Sequence, residues 1–266
     1  MAERIPLLAF TVAGPMGHFR KFYSNTSALT YPFPPRTTLM GLIAGLLGKP
    51  RDSYYTSLDS ERLWITLRIL SPVRVRTFTV NYLHTKQAGQ FYDRKGAGTQ
   101  IPMGWVLPHP PARCLRYRVY VSTPDPKLWN ELERVFTQRT FHWPPYLGIS
   151  EALAWIEPKV WIGEVAYESF REEILLATPA VQHHEIRLSL KHGQRILLDR
   201  FVLDLTEKPY RSPRKIVDMI YEEKGRPLQI HVPYPVFRLP KDDEVKEEEK
   251  VFGAFWRDPE MFHDST

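Results

Sequence analysis

The chain has 266 residues, 43% of them apolar and 25% charged, a composition that supports a buried core and excludes a disordered chain. A single cysteine, Cys114, excludes an intramolecular disulfide framework, an iron–sulfur cluster and any multi-cysteine zinc site, and points to a reducing compartment. The net charge of +6 is unevenly spread: residues 1–120 hold sixteen Lys and Arg against five Asp and Glu, residues 121–240 sixteen of each, and residues 241–266 four against nine.

The longest apolar run, Leu39 to Gly48, is about half of the roughly twenty residues that a membrane-spanning helix needs. The opening residues read as a strand rather than a signal peptide, so a cytoplasmic protein without membrane contact is expected. Proline, 24 of 266, argues for irregular connections and against a helical bundle.

Leu7 to Val12 reads as a buried first strand stopped by Gly14-Pro15. Pro34-Pro35 cannot enter a helix interior, so a helix is expected after them with Thr37 or Thr38 as N-cap. Leu39, Leu42, Ile43, Leu46 and Leu47 form its apolar face, Gly48 closes it at the C′ position, and Gly41 and Gly45 are expected to let it approach a sheet closely. Leu63–Leu70 and Val73–Val80 are the next strands; strict alternation in the second predicts one buried face and one wet face carrying Arg74 and Arg76.

Asn81 to Pro111 then loses any core pattern and is basic, glycine-bearing and aromatic. Some thirty residues of this kind are too long for an idle loop, and a projecting hairpin or functional insertion is expected. Leu115–Val121 is another strand. Asp125-Pro126 opens a second helix carrying Leu128, Leu132, Val135 and Phe136, and Ile156–Ile162 returns as a strand after the break at Pro144-Pro145. The order β-α-β-β-α-β is the split βαβ plan of a ferredoxin-like, RRM-like α+β domain.

Residues 1–163 are read as this domain, 164–240 as a smaller β-rich C-terminal lobe and 241–266 as an acidic tail. The lobe is expected to hold strands at Glu185–Leu190, Arg195–Leu205 and Leu228–Leu239, with a short helix between Ser212-Pro213 and Gly225. The run from Lys241 to Lys250 reads as solvated.

Enzyme signatures are absent: the sequence has no GxxxxGK[ST], HExxH or GxSxG, and no acidic cluster in its basic half. No metal or other cofactor is expected. His183-His184 is the one adjacent histidine pair, and adjacent strand residues point to opposite faces, which argues against a shared ligand role. Basic residues interleaved with aromatics are the ingredients of single-stranded nucleic-acid binding, cations for the backbone and flat rings for the bases.

Two constellations carry that chemistry. His18, Phe19, Arg20 and Lys21, with Arg36, lie between the first strand and first helix, where Arg20, Lys21 and Arg36 can meet phosphate and His18 or Phe19 can stack on a base; Phe22 and Tyr23 are open to a core reading, and Arg36 to a structural ion pair. In the insertion, Tyr82, His84 and Lys86 alternate and share one face if extended, with Tyr92, Arg94 and Lys95 beyond them. Tyr, His and Lys can serve a metal-independent ribonuclease as base, acid and cation, whereas on an exposed ribbon they stack on bases and pair with phosphates.

Residues 14–48, GPMGHFRKFYSNTSALTYPFPPRTTLMGLIAGLLG, resemble the N-terminal signature of the fifth Cas protein family, the RAMP-superfamily subunit of type I CRISPR effector complexes in an I-B-like form. Residues 144–156, PPYLGISEALAWI, resemble a second family segment. The resemblance implies a ferredoxin-like RAMP domain with a protruding β-hairpin thumb, here about residues 77–111, that binds the 5′ handle of a mature CRISPR RNA (crRNA). Its partners would be the Cascade backbone and large subunits, with target DNA met indirectly through the complex. Most such subunits are non-catalytic, while members of subtype I-C cut precursor RNA with Tyr, Lys and His residues. Endoribonuclease activity at Tyr82, His84 and Lys86 is thus the alternative reading, with no catalytic assignment carried over.

Overall fold

The computed structural model describes residues 3–24, 27–82, 99–206, 211–241, 250–259 and 261–262. The first half runs β1 (Glu3–Gly14), β2 (Phe19–Arg20), β3 (Thr30–Tyr31), α1 (Arg36–Leu46), β4 (Trp64–Ile69), β5 (Val73–Tyr82), β6 (Thr99–Pro108), β7 (Leu115–Ser122), α2 (Pro126–Gln138), β8 (Trp155–Ile156) and β9 (Trp161–Glu168). The described residues beyond it add strands: β10 (Ile174–Leu176), β11 (Ala180–Val181), β12 (Arg187–Ser189), β13 (Ile196–Leu205), β14 (Pro213–Glu222), β15 (Leu228–His231), β16 (Val236–Arg238) and β17 (Val251–Gly253). No helix among the described residues is long and apolar enough to cross a membrane.

The main sheet is centred on β1. It runs β9-β1-β7-β4 with every pair antiparallel, and continues past β9 through β16, β17, β10, β15 and β12, where β17 and β10 are parallel. The unbroken apolar run of β1 follows from this central place, because both its faces are covered. Leu8, Phe10 and Val12 face Leu39 and Ile43 of α1 and Leu132 and Phe136 of α2. Leu7 and Ala9, one residue out of phase, face Trp64, Tyr120, Phe237 and Phe255.

Both helices begin at prolines. Asp125 caps α2, its carboxylate accepting from Lys127 N at 2.9 Å, as the sequence predicts. Helix α1 starts two or three residues earlier than expected: Pro35 is its N-cap, and Thr37 and Thr38 lie inside the first turn. Gly48 takes the left-handed φ of +74° at the C′ position, where a Cβ would come 2.9 Å from the His142 ring. The flank carrying Gly41 and Gly45 does not pack on the sheet as expected; a Cβ at Gly45 would meet no atom within 4 Å.

Three further expectations are corrected. Ser212 to Gly225 is not a helix but β14, paired antiparallel with β13, because Val217, Met219 and Tyr221 repeat every second residue into the main core. Residues 251–256 are not part of an acidic tail: β17 joins the sheet, and Val251, Phe252, Phe255 and Trp256 are buried. The charge run itself, 242–249, lies outside the described residues. Strand β5 has no buried face, because it pairs with β6 alone in a two-stranded ribbon.

Candidate nucleic-acid interface

The ribbon is a continuous antiparallel ladder from Val73↔Pro108 to Tyr82↔Thr99. Side chains alternate on β5, so Arg74, Arg76, Phe78, Val80 and Tyr82 share one face and are backed by Leu107, Trp105, Met103, Ile101 and Thr99. Arg74 and Arg76 are exposed, and Phe78 and Tyr82 are 52% and 43% exposed. The Tyr82 hydroxyl donates to Met103 Sδ at 3.6 Å, which holds its ring along the ribbon. Large exposed rings in line with two cations match the needs of a single strand, whose phosphates attract the cations and whose bases stack on the rings.

The segment after β1 braces this ribbon. Gly17 and Val106 exchange backbone bonds of 2.9 and 2.8 Å, and Gly104 N donates to Ala28 O at 2.8 Å. His18, 3% exposed, donates from Nδ1 to Gly104 O at 2.6 Å. Burial lowers the His18 pKa, the Gly104 carbonyl opposes that shift and Arg20 adds to it. Phe19, 1% exposed, packs edge-on against Tyr117. Neither His18 nor Phe19 is therefore available to stack on a base, and the expectation that one of them does is corrected: His18 supports the ribbon and Phe19 belongs to the main core.

The two family-like segments meet at this brace. His18 N donates to Leu147 O at 3.0 Å, and Gly148, at a φ of +90°, approaches so closely that a Cβ would lie 1.9 Å from His18 O. Only glycine satisfies both the conformation and the space.

A groove of about 690 Å³ opens at the ribbon's foot, where Lys21, Arg74, Arg76, His109 and Lys224 line it together with Tyr221. Among the described residues, Glu223 is the one carboxylate on its lining. Lys21 pairs with Asp199 and sits over the Tyr31 ring at 5.2 Å and the Tyr23 ring at 5.7 Å. Burial alone would lower its pKa, but the bonds to Asp199 and Tyr23 prevail and raise it, so Lys21 enters the groove as a fully charged, partly committed cation. Arg20 is exposed and donates to Ser24 O at 3.1 Å. Phe22 and Tyr23 are exposed rather than core.

Arg36 is removed from the interface. It is 2% exposed and pairs with Asp204 at 3.0 Å, so its structural reading holds and its phosphate reading is corrected. Of the insertion residues, Tyr82 stands on the ribbon face, while His84, Lys86, Tyr92, Arg94 and Lys95 lie outside the described residues. His183 and His184 also depart from expectation. They occupy a turn rather than a strand, their rings lie 4.1 Å apart, and with Glu185 their ligand atoms fall within 4.8 Å of one another. His183 Nδ1 accepts from Glu185 N at 3.2 Å, which occupies that lone pair.

Phe78, His109 and Lys224 were not singled out by the sequence reading. The signal for Phe78 lay in β5 itself, where cations at 74 and 76 continue in phase into rings at 78 and 82. His109 and Lys224 come from distant segments, and only the folded chain brings them to the groove.

No curated protein matches the sequence. Among solved structures, the chain is similar to one described as "Crystal structure of a CRISPR protein from Archaeoglobus fulgidus", with a TM-score of 0.57 and 12% identity over 88% of this chain and 96% of that one. It also matches a "CRISPR RNA-guided surveillance complex" chain, with a TM-score of 0.42 and 17% identity over 90% and 95%. A third structure, "Crystal structure of Cas protein", gives a TM-score of 0.40 and 14% identity over 84% and 94%. The first likeness shows a shared fold, mixed α/β and mostly strands. The family model described as CRISPR-associated protein (Cas_Cas5) matches residues 7–158, more than half of the chain, and the protein therefore belongs to the CRISPR-associated Cas5 family.

Proposed function

We propose that this chain is the subunit of a CRISPR Cascade complex that binds the 5′ handle of the crRNA without cleaving it. The observation that carries this reading is the ribbon face on which Arg74, Arg76, Phe78 and Tyr82 follow one another in phase. It continues at its foot into the groove lined by Lys21, His109 and Lys224. Cations at the foot would hold phosphates while Phe78 and Tyr82 stack on bases further out, a division of labour in which charge supplies affinity and rings supply position. Arg20 would add a phosphate contact beside the groove.

The ribbon is the natural candidate for the family's thumb, with His84, Lys86, Tyr92, Arg94 and Lys95 as further RNA contacts. The order β9-β1-β7-β4, with α1 between β1 and β4 and α2 between β7 and β9, supports a ferredoxin-like plan for the half that carries it. The Cascade backbone and large subunits would be its neighbours, target DNA would be met through them, and the cytoplasm would be its place of work. Binding of this kind calls for no cofactor.

The test is to isolate the assembled complex from cells that express it with its CRISPR locus and to cross-link the RNA in place. The reading expects one defined crRNA 5′ end joined to this chain through the ribbon. Cross-links of that end to other subunits alone would contradict it.

A further inference from the structure

Asp199 reaches from β13 to the loop that follows β2. One of its carboxylate oxygens pairs with the Lys21 ammonium, and the other accepts from the Tyr23 hydroxyl at 2.8 Å and from Arg200 N at 2.9 Å. The loop is also closed from within: Ser24 N and Oγ both donate to Lys21 O, at 3.1 and 2.8 Å, and Lys21 N donates to Leu29 O at 2.9 Å. Burial raises the Tyr23 pKa, against the Lys21 charge and with that of Asp199, so the hydroxyl keeps the proton it donates.

The ring that this bond fixes is open. Tyr23 is 47% and Phe22 39% exposed, with centroids 5.2 Å apart and planes at 83°. Among the described residues, neither ring joins a hydrophobic core. A solvent-facing tyrosine ordinarily turns about two side-chain torsions, but here the hydroxyl is tied to a carboxylate that is itself only 11% exposed. A flat surface held still in this way accepts a stacked partner at a low cost in ordering entropy.

We propose that Tyr23, with Phe22 beside it, is a stacking platform for one base of the bound RNA, and that Asp199 is the residue that positions it. Lys21 joins the platform to the ribbon groove: it lines that groove, and its ammonium lies 5.7 Å from the Tyr23 ring. The neighbouring charge selects the occupant. Lys21 is answered by Asp199 and Glu223 by Arg195 at 3.2 Å, whereas among the described residues no carboxylate pairs with Arg20, Arg74, Arg76 or Lys224, all of them exposed. An apolar protein face laid on the two rings would leave these cations unanswered, while a strand with phosphates and flat bases meets both. The anchor belongs to the β13–β14 hairpin, whose Leu197 and Tyr221 line the groove, so the contact does not depend on the ribbon face. The inference rests on the guide-RNA reading for the class of ligand and on neither Phe78 nor Tyr82 for the contact.

The experiment uses the full chain and a short oligouridine carrying 4-thiouridine, read by photo-cross-linking with peptide mapping and by fluorescence anisotropy across a range of salt. Adducts are expected on Tyr23 or Phe22 as well as on the ribbon. Tyr23→Ala should weaken binding by about fivefold or more, the loss of one stacked base, with the slope of log K against log salt unchanged because no phosphate contact is removed. Asp199→Ala takes away a negative charge and frees Lys21, so charge alone would tighten binding; positioning predicts instead fewer Tyr23 adducts and weaker binding on a steeper slope. Tyr23→Phe keeps the ring and gives up only the anchor, and should fall between the parent and Tyr23→Ala whether or not Asp199→Ala folds. Parent-like binding by Tyr23→Phe, or tighter binding by Asp199→Ala with the Tyr23 adducts kept, would overturn the positioning role. Adducts confined to the ribbon, with Tyr23→Ala binding like the parent, would overturn the platform, give its rings to a protein neighbour and leave the guide-RNA reading standing. No binding by the parent and no adduct anywhere would overturn both.

Discussion

Arg36 Nη1 lies 3.0 Å from Asp204 Oδ1, and neither side chain is more than 3% exposed. The guanidinium also donates to the carbonyls of Leu203, Leu58 and Leu63 at 3.1, 2.9 and 2.8 Å, while Asp204 accepts from Ser60 N at 2.9 Å. Burial lowers the Arg36 pKa to about 10, with Asp204 and Asp59 opposing the shift, so the side chain stays charged at neutral pH. The pair joins the start of α1 to β13, and with it the stretch matched by the family to the hairpin beyond it.

Removing one member of a buried pair strands the other's charge, at a cost of about 3–5 kcal/mol. Asp204→Ala should therefore lower unfolding stability by that amount in urea denaturation. Arg36→Met combined with Asp204→Leu should cost less than either single change. A loss under about 1 kcal/mol for Asp204→Ala would show that the pair does not hold the hairpin.

His18 should give the protein an acid-sensitive step. Its folded pKa lies below the ordinary 6.5 because of burial, so between the two values the unfolded chain binds more protons, and stability falls as the pH drops below about 6.5. Glu222 is displaced differently. Burial raises its pKa, but the Arg226 side chain and backbone N–H groups outweigh that and lower it, so its contribution is lost only below the ordinary carboxylate value of 4.5. Melting temperatures from pH 7.5 to 5 should decline less in His18→Gln, whose amide can still donate to Gly104. Parallel profiles for the two proteins would show that His18 titrates normally.

Gly148→Ala places a methyl group against His18 O at a backbone angle that alanine avoids. The expected loss is at least about 2 kcal/mol, and because the collision moves His18 it should also loosen the ribbon. Hydrogen exchange at Val106 and Gly104 N–H, both bonded to the bracing segment, should accelerate more than exchange across β1 and β7. Uniform acceleration would mean that Gly148 supports the core and not the ribbon in particular.

Much of this was legible from local pattern. The caps at Asp125 and Gly48, the apolar run of β1 and the strand character of β7 need only nearby residues, and each appears as expected. Ser212-Pro213 misled because the same dipeptide that starts a helix also starts β14, and the partner that decides, β13, is set by long-range pairing. The first binding constellation misled for the same reason: His18, Phe19 and Arg36 have the chemistry of RNA contacts, but burial against β6, β7 and β13 respectively assigns them to support. Exposure of both faces of β5 could not be read from alternation, which implies a covered face wherever a strand belongs to a sheet.

Phe78 and Tyr82 should contribute separately to RNA binding. Each alanine substitution should weaken binding of a single-stranded oligonucleotide by about 1–3 kcal/mol, with little change in melting temperature because both rings are largely exposed. Equal affinities for parent and variants would remove the stacking role from this face.

The most direct test is the salt dependence of crRNA binding by the parent and by the Arg74→Glu, Arg76→Glu double variant, measured as log K against log salt. Each phosphate contact on a single strand contributes about 0.7 to the slope, so the double variant should bind more weakly and its plot should be shallower by about 1.4. Unchanged affinity and an unchanged slope would contradict the placing of the guide RNA on the ribbon.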